Sequence, residues 1–376
     1  MKKRYLALLL GWVLSGCVEP YDGKYGNELN LLVVDGYLTN APERQSITLR
    51  MSDWARTPDR TGLVTGAHLQ LTINDGETLP FTETTKGVYS LPESFRGKPG
   101  DQYKLSIVLA DGKKYASTTE KMPSAVPITR VYQEFDPKGI RQSEISFLPA
   151  HHLFVDVNDP VTERNFYLWK WTLWERQYAC ATCTNALYQT SVQDCVSMNI
   201  NYVPPIIYDY ACEGDCWEIF HEEELNVFAD IYSNGKTITG KKVATLPFFS
   251  WDPALVELRQ LSLSTDAYRY FSLIDQQSQR TGSLTDTPPA ALAGNIKNVD
   301  NPNEYVMGYF SAAAVTIQKY WLQRKDATFA KPIGLLGGRD MQLEPYHEEP
   351  PGVARPPRAP CKLSATRTPL RPDGWQ

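Results

Sequence analysis

Six cysteines, Cys180, Cys183, Cys195, Cys212, Cys216 and Cys361, are the residues whose type and spacing carry the clearest chemistry in this 376-residue chain. Two readings compete. Cys180-x2-Cys183 and Cys212-x3-Cys216 have the spacing of a closed four-thiolate zinc site. An even count in an exported protein points instead to disulfides, because that compartment is oxidising. Signals at the N-terminus favour export and therefore bridges, each contributing about 2–4 kcal/mol. Five of the six fall between 180 and 216, so one bridge is expected to tie Cys361 back to this insertion. A redox Cys-x-x-Cys is disfavoured, since no strand–helix pattern of the thioredoxin kind surrounds the motif. No metal or other cofactor is expected.

The remaining candidates are weaker. His68 falls on the polar face of a predicted strand. His221-Glu222-Glu223-Glu224 lacks the second histidine of a metalloprotease helix and reads as a solvated charge run. Asp156-Val157-Asn158-Asp159-Pro160 offers oxygen ligands of the kind calcium takes, and a strand-closing Asn-Asp-Pro stop explains it equally well. There is no Gly-x-Ser-x-Gly elbow, phosphate-cradling loop or dinucleotide fingerprint. Paired carboxylates for glycoside hydrolysis follow no local spacing rule. No catalytic residue is assigned.

The N-terminus states a location. Lys2, Lys3 and Arg4 precede a short apolar stretch over 5–13, too short to span a bilayer and suited to a secretory signal. Leu14-Ser15-Gly16-Cys17 follows and resembles a bacterial lipobox, in which the cysteine becomes acylated. The expected division is a signal peptide over 1–16 and an acylated leash over 17–28 beginning at Cys17. Removing the three basic residues leaves 35 Lys and Arg against 43 Asp and Glu, a net charge of −8. Several acyl chains hold a protein nearly irreversibly, at about 0.8 kcal/mol per buried methylene. The acidic balance excludes a nucleic-acid partner.

The elements that must position these residues are mostly strands. With 42% hydrophobic and 22% charged residues the chain is globular in composition, and its 24 Gly and 27 Pro suit a turn-rich β fold. Residues 29–122 read as an N-terminal immunoglobulin-like or transthyretin-like sandwich. Its strands are an apolar run at 29–34, alternation at 46–51 and 67–73, and a hairpin through Asp111-Gly112. A larger β-rich domain is expected over 127–376, carrying the disulfide insertion 180–216 and a proline-rich tail 342–376. Its strands are predicted at 128–136, 153–157, 166–174, 225–232, 255–263 and 305–316. One helix is predicted, capped by Ser264, with Ala267, Tyr270, Phe271 and Ile274 on one face and Gly282 past its end. The tail is expected to wrap the surface in extended form without filling a sheet.

Three phrases carry a family resemblance: LLVVDGYLTN over 31–40, Gly66-Ala67 with Gly87-Val88-Tyr89, and PPAALAGNIKNVDNPNEYVMGYFSAAAV over 288–315. With the lipobox they resemble the Bacteroidota lipoprotein family catalogued as domain of unknown function DUF 4249. That resemblance implies an outer-membrane protein encoded beside TonB-dependent receptors, and no activity that transfers to a named residue.

The expectation that follows is a non-enzymatic, lipid-anchored protein of the outer-membrane surface. It would serve as an accessory or lid subunit of a TonB-dependent nutrient uptake system, with the receptor barrel as partner. Trp169 and Trp171 of the aromatic strand, the insertion, and Asn295 and Tyr309 of the GNI–MGYF segment are the candidates for its contact surface. A free-standing adhesion or matrix lipoprotein is the alternative, and a surface glycan or peptide hydrolase a third.

Overall fold

The structure is a computed structural model that describes residues 31–52, 62–161, 163–198, 203–278, 292–349 and 353–376. The expected signal peptide over 1–16 and leash over 17–28 with Cys17, and the Gly282 expected past the helix end, lie outside the described residues. The fold is mostly β with one helix among the described residues. Two six-stranded sheets enclose a first core. One contains Leu31–Asp35, Ser46–Ser52 and Val88–Ser90, the other His68–Ile73, Gln102–Val108 and Lys114–Ser117. Alternation does the work: Leu32, Val34, Ile47 and Leu49 point inward from one sheet and Leu69, Leu71, Leu105 and Ile107 from the other. Of the predicted 29–34 run, the described part is covered on one face, with Leu32 and Val34 buried and Leu31 and Val33 half-buried.

Each of these sheets also takes an edge strand from far along the chain. Val306–Gly308 pairs parallel with Leu31–Asp35, and Ile296–Asn298 pairs antiparallel with Lys114–Ser117. The strand predicted at 305–316 is therefore two strands, Val306–Gly308 and Ser311–Leu322, which belong to different sheets.

A second core lies between a seven-stranded sheet and a three-stranded one. The larger has Ser311–Leu322, Ala254–Leu263, Phe166–Arg176 and Trp217–His221 at its centre. The smaller comprises Ile128–Arg141, Phe147–Asn158 and Thr237–Pro247. The last of these has no counterpart among the predicted strands, and the strand predicted at 225–232 stops at Ala229, leaving Tyr232 94% exposed. The helix Thr265–Ser278 covers the opposite face of the larger sheet, packing Ala267, Tyr270 and Phe271 near Leu261, Leu263 and Val315. Ser264 caps it, its Oγ accepting from the Ala267 amide at 3.1 Å.

The insertion is itself β. Ala179–Thr184 pairs with Ile207–Glu213, and the tail adds Ala359–Pro360 to that sheet and Arg367–Thr368 to the edge of the seven-stranded one. The tail thus does enter sheets, adding two-residue edges to both and pairing His347–Glu349 with Val353–Arg355 in a small sheet of its own; Pro360 sits in one such edge, where proline's missing donor costs little.

Candidate functional site

The two cores meet where the segments 31–39 and 306–322 run side by side. Both leave the first sandwich and enter the seven-stranded sheet together, with one constant parallel register from Leu32↔Val306 through Thr39↔Ala313. Backbones pass very close here. A Cβ on Gly308, whose φ is +99°, would stand 2.0 Å from the Val34 carbonyl oxygen, and one on Gly294 would stand 1.7 Å from the Gly308 oxygen. Asn295 locks the crossing, its Nδ2 donating to the Phe310 carbonyl at 2.8 Å and its Oδ1 accepting from the Phe310 amide at 2.9 Å. Tyr309 donates to Glu120 Oε1 at 2.6 Å, while Ser264 donates to Glu120 Oε2 at 2.7 Å, joining the helix cap to the same knot.

These contacts correct the candidate contact surface. Asn295 and Tyr309 are each 7% exposed and Trp169 is fully buried, so none of the three can meet a partner from solution. Trp169 donates from Nε1 to Gln260 Oε1 at 3.1 Å inside the second core, and Trp171 packs half-buried against that core. The physical reason is the pleat. Odd positions of Phe166–Arg176 face the three-stranded sheet, and even positions face the helix.

That even face borders a cavity of about 330 Å³ beside the sheet crossing. Leu168, Leu225, Leu261 and Leu263 form one wall and Tyr270, Phe271 and Ile274 of the helix another. Val33, Met307 and Gly308 form its floor, and the charged lining groups are Asp35, Arg50 and Lys170. Lys170 is held over the Tyr37 ring at 4.9 Å with Glu222 at 3.9 Å, and Glu222 accepts from the Trp171 amide at 3.0 Å. A second cavity of about 280 Å³ lies at the same junction, lined by Lys121, Glu163, Arg164 and Ser264 among others. Apolar walls with a few polar groups suit binding of an amphiphilic small molecule. Each cavity is lined by a single carboxylate, Asp35 in the first and Glu163 in the second, so neither places two carboxyls across from one another.

Residues 18–319 match the family model described as a domain of unknown function, DUF4249. The chain belongs to that family. Among curated proteins no match is found. The match takes in both strands of the crossing as far as Lys319, so the glycine-dependent knot is built from DUF4249 sequence while the tail clamp described next lies beyond it.

The six cysteines of this DUF4249 protein beyond Cys17 all pair, as Cys180–Cys212, Cys183–Cys195 and Cys216–Cys361. The sulfurs of Cys180, Cys212 and Cys216 lie within 4.8 Å of one another, yet each is committed to a bridge. Three arginines reinforce the tail. Arg355 grips buried Glu344 bidentately at 2.7 and 2.8 Å, and Arg339 does the same to Asp209, with its Nη2 at 2.6 Å from Oδ1. Arg367 donates to Glu218 at 2.9 Å.

A cluster that sequence reading missed surrounds Phe248. His151 Nε2 lies 2.9 Å from Asp326, and a fully buried Arg324–Glu175 ion pair sits alongside, with Arg324 over the Phe248 ring. Burial pushes the Glu175 carboxyl up to about 7 against the pull of Arg324, and pushes His151 down. Among the described residues no serine or cysteine bonds to the His151–Asp326 pair, so it lacks a nucleophile partner.

Glu120 supplies a pH test of the knot. Burial raises its carboxyl above the usual carboxylate range, against the bonds from Tyr309 and Ser264. The fold therefore keeps a proton that the unfolded chain releases near about pH 4.3. This group's contribution is fully present below that pH and is lost as pH rises through the folded value. Glu120→Gln keeps an acceptor and cannot ionise, so its melting temperature relative to the wild type is expected to climb from about pH 4 to about pH 8. A difference flat with pH would contradict the raised carboxyl.

Proposed function

We propose that this chain is a non-enzymatic, lipid-anchored protein of the outer-membrane surface, serving as an accessory or lid subunit of a TonB-dependent uptake barrel. The cavity at the junction carries the reading: apolar walls, a charged lining and no facing carboxyl pair are features of a place that holds a ligand rather than transforms one. A body stiffened by three disulfides and a doubly paired crossing suits a tethered subunit, because a tether raises local concentration at the barrel without new contacts. The lipobox at Cys17 supports the anchor. A tagged chain extracted from outer membranes in mild detergent is expected to bring down a TonB-dependent barrel in stoichiometric amount, identified by mass spectrometry. Repeated recovery of the lipoprotein alone would sink the accessory role and leave free-standing adhesion in its place.

A further inference from the structure

We propose that Cys216–Cys361 and Cys180–Cys212 act together as a thiol–disulfide exchange relay, through which a dithiol reductant unties the tail while the insertion keeps two bridges. The sulfurs of Cys180, Cys212 and Cys216 lie within 4.8 Å of one another, although they belong to two different bridges. All three residues are buried, at 8%, 8% and 1% exposure, whereas Cys361 is half-buried. Among the described residues no third sulfur stands that close to the remaining bridge, Cys183–Cys195.

Accessibility and charge set the order of events. An external thiolate reaches Cys361 before Cys216, so it bonds to the Cys361 sulfur and expels Cys216 as the thiolate. That anion forms in an almost fully buried place, where an uncompensated charge is costly. The Cys180–Cys212 bridge within 4.8 Å relieves it. A short side-chain rotation brings Cys216 into line with that bridge, and being held there gives the exchange a high effective concentration. Cys216 bonds to one of the two sulfurs, and the other leaves as the thiolate. The second thiol of the reductant then displaces Cys361 from the mixed disulfide. The dithiol has become a disulfide, and its two protons end on Cys361 and on the displaced Cys180 or Cys212. Three protein bridges have become two, both within 180–216. The tail is left to its edge strands and to the ion pairs Arg355–Glu344, Arg339–Asp209 and Arg367–Glu218.

The test treats the full oxidised chain with a limiting amount of dithiothreitol, quenches it with N-ethylmaleimide before unfolding, and maps free and bridged cysteines by mass spectrometry. The relay is expected to leave Cys361 alkylated together with Cys180 or Cys212, and Cys216 still bridged. Cys183–Cys195, with no third sulfur at hand, is expected to open only to its own two thiols. Cys216 and Cys361 alkylated together, with Cys180–Cys212 intact, overturns the proposal. The oxidised Cys361→Ser chain gives a second reading without any reductant. The thiol that has lost its partner is expected to appear on Cys180 or Cys212 in a large share of molecules, and a thiol confined to Cys216 overturns the relay. In a chain carrying both Cys180→Ser and Cys212→Ser the acceptor bridge is gone, and limited reduction is expected to free Cys216 and Cys361 as a pair. Continued bridging of Cys216 in that chain would route the exchange elsewhere and also overturn the proposal.

Discussion

Gly308→Ala is expected to destabilise the fold by at least about 4 kcal/mol, at the exceptional end for a single substitution, and to do so through the crossing rather than the core. Two costs add. The first is conformational: at φ +99° an L side chain is strained, a penalty of about 1–2 kcal/mol. The second is space. The new methyl would stand 2.0 Å from the Val34 oxygen, which is backbone in a paired strand and cannot swing aside as a side chain would. Relief requires Val306–Gly308 to withdraw from Leu31–Asp35, and the Gly294 loop stacked on Gly308 must follow. Gly337→Ala is the control, because its φ is +68° with nothing within 4 Å of the added carbon. It is expected to cost about 1 kcal/mol. Urea denaturation of the two variants separates strain from crowding, and equal losses would refute the close approach.

The second large effect concerns the bridge Cys216–Cys361. It closes a sequence separation of 145, against 12 for Cys183–Cys195. On the chain-entropy account the first is worth about 5 kcal/mol and the second about 3 kcal/mol. The paired serine variant at Cys216 and Cys361 is therefore expected to lose about 2 kcal/mol more in denaturant titration than the pair at Cys183 and Cys195. The tail keeps its arginine clamps in both, since Arg355–Glu344 and Arg339–Asp209 do not involve the cysteines. Equal losses, or the reverse order, would mean that those clamps already hold the tail in the reference state and the long bridge adds little.

Locally periodic features were legible in the sequence. Alternation at 46–51 and 67–73, the hairpin through Asp111-Gly112, the Ser264 cap and the even cysteine count all translate into observed elements. What the sequence hid depends on partners far along the chain. Asn295 and Tyr309 sit in a segment expected to offer a contact surface, and only pairing with residues 31–39 and 118–120 buries them. Trp169 shows two aromatic neighbours at strand spacing, which fits a platform or a core alike until the three-stranded sheet is laid over it. Thr237–Pro247 escaped because its first half is polar and exposed, and its register against Phe147–Asn158 shifts twice, spoiling the period of two. His151–Asp326 and Glu344–Arg355 could not be foreseen, since ion pairs in a β fold obey no sequence spacing.

The crossing also determines how this body carries a load. A pull on the chain ahead of Leu31 acts along that strand, whose neighbours are Ser46–Ser52 on one side and Val306–Gly308 on the other. The hydrogen bonds on both sides lie across the line of force, so they must yield in shear, many at once, rather than unzip one after another. The same strand continues through Tyr37–Thr39 into the seven-stranded sheet, which spreads the tension over both cores. A tension applied ahead of Leu31 would thus be met first by a strand paired on both sides.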